Sequence, residues 1–187
     1  MQGRMITPVS ELGSAPVLRK EFSLEPSFVR ATLRISSLGV HEARINGIPV
    51  GEDVLSPGWS SYEHRLRYVT HDVTESLATD NVLTVLIGNG WYRGRLGFMG
   101  GRAFYGDRLG LIAELEIEYA DGSSRLIVTD ETWTADNSDV IADDLYHGQT
   151  IDARQRTELR TWRLAVRPLD FDKSLLTPYI GPVVTRH

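Results

Sequence analysis

The feature of this sequence that most limits its fold is an alternation of apolar and polar residues with a period of two. In residues 31–37, Ala, Leu and Ile alternate with Thr and Arg, which is typical of a β-strand with one buried face. Residues 111–119 repeat the pattern, with Glu at every second position from 114 to 118. The run 82–87 is almost continuously apolar and predicts a strand buried on both faces.

Turn signals separate these segments. Asn46-Gly47 and Asp121-Gly122 are pairs that favour the positive φ angles of tight hairpin turns. The only helix-start signal is Asp72 followed by Glu75, which predicts a short helical turn reaching Leu77. Many short strands with few helices predict an all-β fold: a jelly-roll β-sandwich with one or two short helical turns.

The length of 187 residues suits one domain with a substantial core. We predict an irregular N-terminal segment in residues 1–15, a β-sandwich in residues 16–168 and a connector in residues 169–187. Prolines in the last segment favour a connector over a central strand. Trp133 and Trp162 are predicted to be core residues.

Composition excludes several classes of function. The net charge of −5 argues against nucleic acid as a partner, because such domains usually carry a basic face. The chain has no cysteine, which excludes disulfides and cysteine-ligated zinc. This fits a cytoplasmic protein, and a secreted protein without cysteine would have the same composition. No segment approaches the roughly 18 apolar residues of a membrane span.

Residues 88–108 break the strand pattern. These 21 residues contain seven of the 17 glycines, five aromatic residues and four arginines. Long loops of this kind in compact domains are usually functional, and the aromatic content argues against disorder. Aromatic faces and planar polar side chains suit a sugar ring, which has an apolar face and a rim of hydroxyls. We therefore predict an outward-facing contact surface here; self-packing of the rings is the alternative.

No catalytic centre is expected in this chain. Glycoside hydrolysis needs two carboxylates across a sugar, whereas the glutamates of 114–118 lie on one face of a strand and are expected to be solvated. Asp143 and Asp144 would point to opposite faces of an extended strand. Gly88-Asn89-Gly90 begins like a dinucleotide loop but lacks the helix that such a loop requires.

An ordered series of motifs resembles the N-terminal β-sandwich domain of bacterial alpha-L-rhamnosidases. The motifs are LGVHEARING (38–47), LSPGW (55–59), YVTHDVT (68–74), NVL (81–83), GNGWYRG (88–94), YGD (105–107), YADG (119–122), TDETW (129–133) and DDLYHGQTIDAR (143–154). The strand and turn at Asn46-Gly47 also resemble galactose-binding-like domains of other glycosidases. The sequence departs from the family at Gln149 and Ile151, where Glu and Tyr are usual.

The resemblance implies a non-catalytic accessory domain of a glycoside hydrolase. The acid and base of such enzymes lie in a separate (α/α)6 barrel, which this domain would contact. In some members the sandwich is a carbohydrate-binding module that holds L-rhamnose with a calcium ion beside it. No cofactor is otherwise implied.

Loop composition and resemblance together select the candidate site residues. Stacking on the sugar is assigned to Trp91, Tyr92 and Tyr105, and hydroxyl contacts to Asn89, Arg95 and Asp107. Trp59 either lines a pocket or plugs an end of the sandwich. If calcium binds, its candidate ligands are Glu42, Asn89 and Asp107. Two functions stay open: sugar binding, and a purely structural domain that supports the catalytic barrel.

Overall fold

The computed structural model describes residues 1–97, 100–155 and 164–185. Its strands are β1 (Ile6–Pro8), β2 (Pro16–Ser23), β3 (Phe28–Leu38), β4 (Val40–Ile45), β5 (Ile48–Pro49), β6 (Leu66–Asp72), β7 (Asp80–Gly88), β8 (Arg95–Leu96), β9 (Gly101–Arg102), β10 (Gly110–Tyr119), β11 (Ser124–Val128), β12 (Thr134–Asn137), β13 (Val140–Asp144), β14 (Gly148–Ile151), β15 (Leu164–Pro168) and β16 (Leu176–Pro178). One α-helical turn, α1, covers Gly90–Arg93, and 3-10 turns cover Thr74–Ser76, Ala153–Gln155 and Lys173–Leu175.

The strands form two layers. One layer runs β16-β6-β3-β10, and β11 and β1 share the far edge of β10. The other runs β15-β12-β2-β7-β4-β5. Pairing of β1 with both β10 and β15 joins the two layers, and the hairpins β8–β9 and β13–β14 lie outside them. This is the all-β sandwich that the sequence predicts.

The core lies between the layers. Ala31, Leu33 and Ile35 of β3 belong to the same buried cluster as alternate residues of β7 and β10. Trp133 is only 2% exposed, and its indole N–H donates to the Val128 carbonyl at 2.9 Å. The prediction of a core tryptophan at this position is therefore confirmed. Trp162 lies outside the described residues.

Backbone φ angles and strand pairing confirm the predicted turns. Asn46 has φ 53° and Gly47 has φ 82° where β4 turns into β5. Gly122, with φ 83°, turns β10 into β11. The Asp72 carboxylate accepts a hydrogen bond from the Thr74 backbone N–H at 3.0 Å. This bond lies at the start of the 3-10 turn Thr74–Ser76. The described residues contain four short helical segments, more than the one or two expected.

Two strand predictions need correction. In β7, buried residues alternate with half-buried ones, so only one face of this strand is fully buried, because only one face meets the opposite layer. The glutamates of β10 are not a uniformly solvated stripe. Glu114 is buried, and Arg34 of the neighbouring β3 bridges it at 3.1 Å and Glu116 at 3.0 Å.

The two ends of the chain contribute strands. Segment 1–15 contains β1, which has pairing partners on both sides. Segment 169–187 contains β16, which pairs in parallel with β6. Because β16 is the outermost strand of its layer, its proline is tolerated there. The division of the chain into three parts stays a prediction.

Candidate functional site

The candidate site lies where the end of β7, the helical turn α1 and the hairpin β13–β14 meet. Two cavities adjoin there. The first, which we call the arginine cavity, has a volume of about 440 Å³. Its functional side chains are Asn89, Arg93, Arg95, Arg102, Asp143, Asp144, His147 and Thr150.

The second cavity, which we call the apolar cavity, has a volume of about 370 Å³. Its apolar wall consists of Val40, Val54, Leu55, Leu86, Val140 and Leu145. Asp143, Asp144 and Gly148 line both cavities. A surface that is rich in cations therefore adjoins an apolar one.

Asn89 joins the loop to the hairpin. Its backbone N–H donates to Asp143 Oδ1 at 2.5 Å, and its side-chain Nδ2 donates to the Asp143 carbonyl at 2.8 Å. Its Oδ1 accepts a hydrogen bond from Arg93 Nε. All polar groups of the Asn89 side chain are thus used to position Asp143 and Arg93.

The two aspartates of the site are held differently. Burial raises the pKa of Asp143, against the lowering effect of the Asn89 N–H and of Arg93. Burial also acts to raise the pKa of Asp144, but hydrogen bonds from three backbone N–H groups outweigh it and the net shift is downward. These donors are Arg95 at 2.9 Å, Tyr146 at 2.9 Å and His147 at 3.3 Å.

The predicted opposite orientation of Asp143 and Asp144 is not observed, since both line both cavities. The register of β13 shifts between Val140 and Ala142, and β13 ends at Asp144. A simple alternation of side chains does not apply there. Asp144 accepts backbone hydrogen bonds, so its carboxylate orders the loop.

The three guanidinium groups have few partners in the described ranges. Arg93 donates to Asn89, and Arg95 donates to the Gly100 carbonyl at 3.3 Å. Within these ranges, no carboxylate oxygen lies within 4.0 Å of the side-chain nitrogens of Arg93, Arg95 or Arg102. Burial lowers the pKa of Arg93, and Asp143 offsets this shift only in part.

The aromatic residues predicted to stack on a sugar pack in part against the protein. Trp91, Tyr92 and Tyr105 are half-buried against a small cluster that includes Tyr62. The Tyr62 ring centroid lies 5.1 Å from that of Tyr92 and 4.8 Å from that of Tyr105. Burial raises the pKa of Tyr62 above its usual value. The ring surface that these residues bury is therefore not free to contact a ligand.

The remaining predicted residues do not lie together in one place. Asn89 and Arg95 line the arginine cavity. Asp107 is exposed and lines a smaller cavity of about 140 Å³ together with Arg93. Trp59 is 54% exposed, so it does not plug the sandwich.

The three candidate calcium ligands do not share one of these cavities. Glu42 lines the apolar cavity, Asn89 the arginine cavity and Asp107 the smaller one. Nowhere in residues 1–97, 100–155 and 164–185 do three or more His, Asp or Glu residues form a group able to hold a metal. Calcium binding stays a prediction, without support from this geometry.

Sequence reasoning missed four residues of the arginine cavity: Arg93, Arg102, Asp143 and Asp144. It also missed two exposed aromatic rings, those of Tyr146 and Phe104. The signal for the arginines was present, because loop 88–108 is rich in them. Tyr146 is 62% exposed and Phe104 is 60% exposed. The Tyr146 hydroxyl accepts a hydrogen bond from the Gly97 N–H at 3.4 Å, which places the ring beside loop 88–108.

A further cavity of about 370 Å³ lies beside β4, with His41, Asp53 and His71 in its wall. His41 Nδ1 lies 2.9 Å from the Ser37 hydroxyl. Burial lowers the pKa of His41 to about 4 and also lowers that of His71. Both rings are therefore neutral at pH 7.

Comparison with known proteins identifies the family. The family model for the alpha-L-rhamnosidase N-terminal domain matches residues 27–178, which is most of the chain. The chain belongs to the alpha-L-rhamnosidase N-terminal domain family. It therefore corresponds to a non-catalytic domain of these glycoside hydrolases. In its described residues, the rhamnosidase N-terminal domain has no helix long and apolar enough to cross a membrane.

Relatives support the assignment. An alpha-L-rhamnosidase of Streptomyces avermitilis is 40% identical over 95% of this chain and 18% of its own length. One from Formosa agariphila is 36% identical over 73% of this chain and 15% of its own length. The rhamnosidase N-terminal domain thus spans less than a fifth of the curated relatives it matches.

Solved structures agree with the fold. The alpha-L-rhamnosidase of Aspergillus terreus superposes with a TM-score of 0.92 at 37% identity, over 98% of this chain and 23% of that one. The Streptomyces avermitilis enzyme complexed with L-rhamnose gives 0.78 at 41% identity, over 84% of this chain and 16% of that one. A lectin from Pleurotus ostreatus, at 20% identity and a TM-score of 0.50 over 89% of this chain and 41% of the lectin, shares the fold alone.

Proposed function

We propose that this rhamnosidase N-terminal domain binds carbohydrate of the L-rhamnose class in the arginine and apolar cavities. The observation that carries the proposal is the contact between the two cavities along Asp143 and Asp144. A sugar ring can place its hydroxyls towards the guanidinium and carboxylate groups and its C–H face towards the valines and leucines. Each volume falls within the roughly 300–1,000 Å³ of ligand pockets.

The class of sugar that we propose is inferred from the family to which the chain belongs. The Streptomyces avermitilis rhamnosidase, whose matching region is 41% identical to this chain, was obtained complexed with L-rhamnose. We propose that the longer protein containing this domain is also a rhamnosidase, and that the domain holds part of its substrate. L-Rhamnose has an apolar methyl group, which suits the wall formed by Val40, Leu86 and Val140.

Tyr146 is the aromatic ring best placed to stack on the sugar. It lies between Asp144 and His147, two residues of the arginine cavity, and its ring is mostly exposed. The Asp144 carboxylate holds its backbone and the Gly97 N–H holds its hydroxyl. A fixed ring of this kind loses little conformational entropy when a ligand binds.

Calorimetric titration of this chain with L-rhamnose tests the proposal, with calcium and with a chelator in parallel. We expect millimolar or tighter binding to the wild-type chain and loss of binding in Thr150→Trp, because Thr150 is an exposed residue in the wall of the arginine cavity. Thr70→Trp, at an exposed position on β6, is the matched control. Equal binding by the two variants, or no heat at millimolar sugar, would contradict sugar binding at this site.

A structural function is the second candidate, and an exposed apolar surface favours it. Ile180 is 83% exposed, and Trp59, Val183 and Val184 are each about half exposed. The Val54 N–H donates to the Val184 carbonyl at 2.8 Å, so the tail lies along the segment before Trp59. Such a surface suits contact with another part of the longer protein.

The test of this second function compares Ile180→Ser in the full-length protein and in the domain alone. We expect a lower melting temperature in the full-length protein and little change in the isolated domain. An unchanged melting temperature in both would argue against a supporting contact through this surface.

A further inference from the structure

We infer that the arginine cavity recognises a saccharide that carries a carboxylate, such as a uronic acid residue, in preference to a neutral sugar. This inference rests on the proposed function, since it names the chemistry of the ligand in the same site. Neither the family assignment nor the L-rhamnose complex of the Streptomyces avermitilis enzyme implies it, because rhamnose is uncharged. It comes from the distribution of charge in the cavity.

The cavity contains more cations than anions. Arg93, Arg95 and Arg102 line it together with two carboxylates, Asp143 and Asp144. A guanidinium group stays charged at physiological pH. The three positive groups therefore exceed the two negative ones.

The carboxylates already have hydrogen-bond partners within the protein. Asp143 accepts from the Asn89 N–H, and Asp144 accepts from the N–H groups of Arg95, Tyr146 and His147. These bonds use the oxygens to order the loop and the hairpin. Both oxygens of Asp144 and Oδ1 of Asp143 are therefore already hydrogen-bonded before a ligand arrives.

The guanidinium groups have spare donors. Each has five N–H donors in a planar fork, of which Arg93 uses one for Asn89 and Arg95 uses one for Gly100. Arg102, on β9, has an exposed side chain. A planar carboxylate is the acceptor that matches this fork with two parallel hydrogen bonds.

Of the three arginines, Arg93 is expected to be stabilised most by a bound anion, because burial disfavours its charged form. Desolvation lowers its pKa, which means that the charged form is incompletely compensated in the free protein. Glu11 and Asp107 act on Arg93 from the smaller cavity on its other side. Neither lines the arginine cavity, so the groups that face the ligand remain predominantly basic.

The experiment measures binding of D-glucuronate, its methyl ester and L-rhamnose to the chain at low salt. The ester has the same ring without the charge. We expect glucuronate to bind about tenfold more tightly than the ester, since hydrogen bonds to ionised groups are about twice as strong as neutral ones. Salt should reduce this preference by screening.

Arg102→Gln tests the cavity itself, because this exposed residue can be changed without disturbing the fold. We expect it to weaken glucuronate binding about tenfold and to remove most of the preference for glucuronate over its methyl ester, because glutamine carries no charge. Arg95→Gln should have the same effect. Arg65→Gln, at an exposed position outside the cavity, is the matched control.

The outcomes separate the two proposals. Rhamnose binding with no preference for glucuronate over its ester overturns the inference and leaves the proposed function intact. An equal loss of glucuronate binding in Arg102→Gln and Arg65→Gln also overturns it. Absence of binding by all three sugars overturns both.

Discussion

The buried histidine of β4 makes the stability of this domain depend on pH. His41 is 6% exposed, its Nδ1 lies 2.9 Å from the Ser37 hydroxyl and its backbone N–H donates to the Ser56 carbonyl at 2.7 Å. Burial lowers the pKa of the ring to about 4, Asp53 acts in the opposite direction, and His71 adds a small further lowering. Folding thus favours the neutral imidazole.

The magnitude follows from the two pKa values. The unfolded chain has a histidine pKa of about 6.5 and the folded chain one of about 4, and each unit is worth about 1.4 kcal/mol. Above pH 6.5 both states are neutral and His41 costs nothing. As the pH falls from about 6.5 to about 4, the unfolded state binds a proton that the folded state does not. We expect this step to remove about 3 kcal/mol of the free energy of unfolding.

Urea unfolding of the wild-type chain and of His41→Asn across this pH range measures the effect. Asparagine keeps a polar atom near the position of Nδ1 without the titration, so the difference in free energy between the two proteins should vary with pH. His64→Asn, which makes the same substitution at an exposed histidine, is the matched control. Parallel pH profiles for the wild type and His41→Asn would refute the reasoning.

Three further predictions concern packing, backbone and ligand contact. Trp133→Ala should lower the free energy of unfolding by about 3–5 kcal/mol, while Trp59→Ala, at an exposed position, should change it by less than about 0.5 kcal/mol in urea unfolding. Gly39 has φ 133°, and a Cβ there would lie 2.4 Å from the Gly88 carbonyl oxygen. Gly39→Ala should therefore lower the melting temperature. Gly13→Ala is the control and should not lower it, because a Cβ at Gly13 would lie in open space. Tyr146→Ala should weaken L-rhamnose binding about fivefold, near 1 kcal/mol, without changing the melting temperature. Unchanged sugar affinity would show that this ring does not contact the sugar.

The strands of the sandwich could be predicted because their signals are local. The alternation in β3 and the turn at Asn46-Gly47 each depend on a few neighbouring residues, and both appear in the structure. Glu114 shows the limit of such signals. Its alternation with Leu115 is correct, but its burial depends on Arg34 of a neighbouring strand, which periodicity does not reveal.

The site was predicted only in part, for a related reason. Composition indicated that loop 88–108 is special but not which way each ring points. Tyr92 faces inward because Tyr62, from an earlier segment, meets it edge-on with the ring planes at 72°. Asp143 enters the site through the hydrogen bonds of Asn89, a contact between segments distant in sequence. Local patterns contain no information on such pairings.

The pairing of β1 has a consequence for shortened versions of this chain. Its three residues have Leu111 of β10 on one side and residues 166–168 of β15 on the other. Trimming the first eight residues would leave both neighbours with unsatisfied backbone groups at once and expose two new sheet edges, which are templates for self-association. A truncated protein of this kind should precipitate or form fibres, even though almost all of its interior side chains would still be present.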